Sequence, residues 1–92
     1  MTEDRWVYVI VQDPEGSEKF LGLQDTESEI QFIPAFSSKE EATAGMYRLP
    51  LKTDPKKREV QAIILEDILF YAKENGFAVF VLDGDGKVLE RM

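Results

Sequence analysis

At 92 residues, 43% hydrophobic and 32% charged, the chain has enough material for one modest core and the composition of a globular rather than a disordered protein. It contains no cysteine and no histidine, which excludes a disulfide framework, a thiolate nucleophile, a sulfur metal site and any imidazole base. A net charge of -7 disfavours nonspecific attraction to nucleic acid or anionic lipid.

The opening MTEDRWVYV lacks the basic and apolar regions of a secretory signal, and the longest apolar runs fall far short of the roughly 20 residues of a membrane helix. A cytoplasmic, non-membrane protein is the expectation. In Trp6 to Val11, valines alternate with Trp6, Tyr8 and Ile10, so the run reads as a central strand apolar on both faces. DPEGSE, residues 13 to 18, is a turn, and Lys19 to Gln24 is a second strand that closes a hairpin. Gln31 to Phe36 is a third strand, and Pro34 within it argues for a sheet edge or a bulge.

FIPAFSSKEEA then carries two overlapping S-x-x-E capping boxes, Ser37 with Glu40 and Ser38 with Glu41. They predict a helix from about residue 38 to Leu49, stopped by Pro50. The competing reading is a phosphate site at the helix N-terminus. Phosphate loops use glycine, however, and none lies between Leu23 and Gly45, while Glu40 and Glu41 repel anions; capping is the reading adopted.

Val60 to Leu65 is a fourth strand. Glu66 to Asn75 is a second helix, ended by Gly76, with Leu65, Ile68, Leu69 and Ala72 on the stripe that faces a core. Phe77 to Leu82 and Lys87 to Glu90 are strands joined by the turn DGDG. Read as a calcium loop, DGDGK puts Lys87 at the fifth position and Val88 at the sixth, where glycine is needed, so a hairpin turn is preferred.

The result is one α+β domain over 1–92, a single mixed sheet in the order β-β-β-α-β-α-β-β with two helices packed on it. Right-handed crossovers link the strands at 31–36, 60–65 and 77–82. The helices share a face if strand order advances steadily and take opposite faces if it reverses. On one face they would leave Trp6 and Tyr8 short of cover, which a homodimer would supply.

Candidate sites are few. The carboxylate pairs Glu40/Glu41, Glu66/Asp67 and Asp83/Asp85 each sit at a helix start or turn that explains them, so no catalytic residues, metal ligands or cofactor are assigned. The aromatic side chains Trp6, Tyr8, Tyr47, Phe70 and Tyr71 are read mainly as core filling, with Trp6 and Tyr8 kept as an apolar interface. From Arg48 to Arg58, within Arg48 and LPLKTDPKKRE, the cations Arg48, Lys52, Lys56, Lys57 and Arg58 stand against Asp54 alone in an otherwise acidic chain. That island is either a solvated loop or a docking patch for an acidic partner, including a second copy.

The succession from FIPAFSSKEEA through VQAI to LEDILFYAKENG resembles the N-terminal domain of the SseB (enhanced serine sensitivity) family of bacteria. The likeness spans Phe32 to Gly76 and rests on Phe36, Ser37, Glu40, Glu41, Leu65 and Glu66. The Asn-Pro-like ending of that family is replaced here by VFVLDGDGK. The resemblance implies an α/β domain with no catalytic residues to carry over. The expected role is a non-enzymatic protein-interaction or assembly module, with a ligand-binding regulatory domain, its pocket beside the crossover strands, as the alternative.

Overall fold

The computed structural model describes residues 5–12, 16, 19–25, 29–48 and 58–92. They form one mixed, open sheet of seven strands with two helices, an α+β fold. In chain order the elements are β1 (Trp6–Gln12), β2 (Lys19–Phe20), β3 (Leu23–Gln24), β4 (Gln31–Phe36), α1 (Lys39–Arg48), β5 (Arg58–Ile64), α2 (Leu65–Asn75), β6 (Ala78–Leu82) and β7 (Val88–Arg91).

Strands β5, β1, β4, β6 and β7 lie side by side, with β4 and β6 parallel and every other neighbouring pair antiparallel. Because β4 and β5 both run against β1, they point the same way, as the predicted crossovers require. The connection through α1 passes over β1 to reach β5, and the connection through α2 returns over β1 and β4 to β6. Two crossovers of one hand in opposite directions place their helices on opposite faces of the sheet.

The side chains follow that reversal. Val7, Val9 and Val11 of β1 pack with Ile33, Ala35 and Val79 against Ile68 and Ala72 of α2. The alternate residues, Ile10, Phe36, Phe80 and Leu82, pack with Ala42 and Met46 of α1. Period-two alternation therefore feeds both layers, and β1 is central, as its two apolar faces implied. The shared-face arrangement, and the argument for a homodimer built on it, does not apply.

Two expectations are corrected. Residues 19–24 are not one strand but two, broken at Leu21 and Gly22, with β2 on β1 and β3 on β4. Pro34 is in neither an edge strand nor a bulge; it is buried in a central strand and pairs with Phe80 in the parallel ladder. Both corrections have one cause. Tyr8 pairs with Phe36 and Val9 with Ala35, so one further step would set Ile10 opposite Pro34. Proline has no N–H for the Ile10 carbonyl. The Leu21 N–H donates to that carbonyl instead, at 2.8 Å. Strands β1 and β4 thus splay, and β2 and β3 wedge between their separating ends.

The helix ends are capped largely as the sequence implies. The Ser38 hydroxyl accepts from the Glu41 N–H at 3.2 Å and donates to the Glu41 carboxylate at 3.3 Å, so the Ser38–Glu41 box is formed. Helix α2 follows β5 with no loop, and its first N–H, that of Leu65, still donates to Arg5 O in the strand ladder. Gly76 closes α2 with φ 76°, a left-handed conformation that glycine adopts without strain. In the turn between β6 and β7, the Asp83 carboxylate accepts the N–H groups of Asp85 and Lys87, both at 2.9 Å. DGDG is a hairpin turn whose carboxylate is engaged with its own backbone.

Candidate functional site

The sequence singled out a basic island and an aromatic pair, and the fold treats them differently. Lys52, Lys56 and Lys57 lie outside the described residues. Arg48 and Arg58, the described members, each serve the surroundings of α1. Arg48 pairs with Asp85 of the β6–β7 turn at 2.6 Å, an exposed contact of small energetic worth. Arg58 donates from Nη1 to the Met46 carbonyl at 3.3 Å, a cation on the last turn of a helix, where the dipole favours it. Its Nε is buried with no partner among the described residues.

Trp6 and Tyr8 share the α1 face of the sheet with their partners across the β1–β5 ladder, Ile64 and Ala62. Tyr8 is half-buried, whereas Trp6 is 56% exposed at the beginning of β1. Core filling holds for Tyr71, whose ring meets Phe20 edge-on at 4.8 Å. It fails for Trp6, Tyr47 and Phe70, which are exposed. Trp6 differs from the other two in standing beside the outermost strand, where Ala62 is also exposed and Ile64 only half-buried.

The strand predicted at Val60 to Leu65 is present as β5, and its edge position is the feature sequence reasoning missed. It pairs along its entire seven-residue length with β1, and no described strand pairs with its outer side. Its hydrogen-bond phase follows from one contact. Since Leu65 N–H bonds to Arg5 O, the pairs Val7–Ile63, Val9–Gln61 and Val11–Glu59 exchange bonds inward. Val60, Ala62 and Ile64 therefore aim their N–H and C=O groups outward. Between Val60 and Ile64 there is no proline, charge or bulge, the devices by which edge strands usually resist pairing. The strand was readable beforehand; the edge position was not, because it depends on strand order.

At the other end of the sheet, Arg5 and Glu90 form an ion pair of 2.5 Å that joins the start of β1 to β7. The hydrogen bond from Arg5 holds the Glu90 carboxyl below the usual glutamate range, and Glu90 raises the guanidinium in turn. A carboxyl with a depressed folded-state pKa stabilises the fold above its unfolded-state value and loses that contribution as pH falls through the folded-state one. Glu90→Gln is therefore expected to lower Tm at neutral pH, by an amount that closes on acidification below about pH 4. Thermal unfolding at a series of pH values checks this; a gap that stays constant into strong acid contradicts it.

Among the described residues no group of three or more acidic side chains is placed to hold a metal ion, and no helix is long and apolar enough to cross a membrane. The outer surface of α1 has an open depression lined by Lys39, Glu40, Thr43 and Ala44. Glu40 stands at its rim, and the capping groups of Ser38 are already engaged.

No protein-family model matches the chain, and no curated protein matches it. Among solved structures the chain is similar to Anabaena Tic22, described as a protein-transport protein, with a TM-score of 0.56 and 15% identity. The match covers 90% of this chain but 37% of that one, so the chain spans little more than a third of its neighbour's length. A likeness at this identity shows the fold alone. None of these comparisons bears on the SseB-type resemblance.

Proposed function

We infer that the chain is a small bacterial, non-enzymatic domain that acts by binding protein, an interaction or assembly module. The observation that carries this reading is β5. An edge unprotected from Val60 to Ile64, with Trp6, Tyr8, Ala62 and Ile64 clustered on the face beside it, offers backbone hydrogen bonds for affinity and apolar side chains for selectivity. Trp6 suits such a role, since a large aromatic ring contributes much contact area at a low cost in conformational entropy. The SseB-type resemblance, an α/β domain without catalytic residues, agrees with this reading.

The test is photo-crosslinking in the host cell, with a benzophenone amino acid replacing Trp6 and, as a control, exposed Glu74 on α2. Protein adducts from position 6 at several times the level from position 74 are expected. Equal, background-level adducts from both positions would contradict a protein-binding surface here. The alternative role, a ligand-binding regulatory domain with its pocket beside the crossover strands, predicts a rise in Tm with a nucleotide or metabolite, because a ligand bound to the folded state stabilises it by mass action.

A further inference from the structure

Resting on the protein-binding reading, we propose that the occupant of the β5 edge is a second copy of the chain, paired antiparallel about a two-fold axis at Ala62. The charge order along the chain selects this arrangement. Strand β5 begins with Arg58, whose guanidinium lies on the Met46 carbonyl, followed by Glu59, and it leads directly into the acidic first turn of α2, Glu66 and Asp67. An antiparallel copy sets Arg58 of each strand beside the acidic turn of the other. A parallel copy would set like against like, which is unfavourable across neighbouring strands.

The register follows from the outward groups. With Ala62 opposite the second copy's Ala62, Val60 faces the second copy's Ile64, and Arg58 comes alongside its Glu66. Val60, Ala62 and Ile64 have outward-pointing N–H and C=O groups, so the Ala62–Ala62 and Val60–Ile64 pairs exchange hydrogen bonds, while Glu66, in the first turn of α2, contributes its charge alone. Their side chains extend the α1 face into one apolar row, in which Ile64, already beside Trp6, gains the second copy's Val60. The surface is isologous, as a two-fold dimer requires, and the two sheets become one.

Light scattering during size-exclusion chromatography, over a wide concentration range, reads the state directly. The expected mass is near twice that of the 10.5 kDa chain at high concentration. Ala62→Pro removes an outward N–H that β1 does not use and is compatible with an edge strand, so it is expected to halve the mass and leave the circular dichroism spectrum unchanged. Gln61→Pro, which removes an inward hydrogen bond, is expected to disrupt the monomer itself.

Ala62→Cys gives a readout that does not depend on the fold tolerating proline. The chain has no other cysteine, and residues opposite each other on paired strands lie within disulfide reach. Oxidation is expected to link most of the Ala62→Cys protein into covalent dimers, while a Glu74→Cys control stays largely unlinked. A wild-type monomer at every concentration, or a dimer that survives Ala62→Pro and gives no disulfide at position 62, overturns the proposal. Adducts at position 6 in the cell would then assign the edge to a different protein, so the two readings fail separately.

Discussion

Replacing Phe36 by alanine is expected to cost about 3–5 kcal/mol of folding free energy, measured by urea unfolding, the largest loss foreseen from any single change in this chain. Phe36 ends β4, pairs with Tyr8 on one side and Leu82 on the other, and is fully buried under α1. Its ring sets how closely α1 approaches the sheet, because a Cβ placed on Gly45 would lie 2.5 Å from Phe36 Cζ. Glycine inside a helix usually costs about 0.5–1 kcal/mol relative to alanine, so Gly45→Ala ought to stabilise if nothing stood above it. Here overpacking prevails, and Gly45→Ala is expected to destabilise by about 1–3 kcal/mol. In Phe36→Ala the same methyl enters vacated space, so the double variant should be more stable than the two single losses added together. A Gly45→Ala protein at least as stable as the wild type would contradict the close approach of α1.

Ile68→Ala is the corresponding test on the other face, with an expected loss of about 2–5 kcal/mol. Ile68 is fully buried and, with Ala72, brings α2 against the odd-numbered valines of β1, Ile33 and Val79. A domain of this size has about 5–15 kcal/mol of total stability, so either loss leaves little margin. The two faces share the sheet but not their side-chain partners. Gly45→Ala and Ile68→Ala should therefore add to within about 0.5 kcal/mol. A large coupling between them would mean that the helices pack against each other rather than on opposite faces.

What was legible in the sequence was local. The alternation in β1, the Ser38–Glu41 box, the stripe of Ile68 and Ala72, the cap at Gly76 and the DGDG turn are all short-range signals, and each names its element. The break at Leu21 was not legible, because it depends on a carbonyl of β1 that Pro34, in a strand far along the chain, leaves without a donor. Strand order was hidden for the same reason: it is set by which faces two helices can cover at once, and no local spacing encodes that. The aromatic residues show the consequence. Tyr71 and Phe70 are neighbours on one helix, yet one ring packs against Phe20 and the other faces outward.

The candidate site was legible only in part. Trp6 and Tyr8 were singled out by supposing that both helices cover one face; the helices take opposite faces, and the two rings stand beside the edge because β5 is the outer neighbour of β1. The basic island drew attention because its charge is unusual in an acidic chain, but of its described members Arg48 reaches a turn and Arg58 caps α1. The outward groups of Val60, Ala62 and Ile64 leave no mark in the sequence, since backbone atoms are the same at every such position.

Amide hydrogen exchange at those three residues, followed by NMR as a function of protein concentration, tests the account most directly. Gln61 and Ile63, bonded to β1, should be protected at every concentration, whereas Val60, Ala62 and Ile64 should exchange rapidly in dilute protein and slow together as it is concentrated. If those three amides exchange at one unchanging fast rate across the range, β5 does not pair with its own copy.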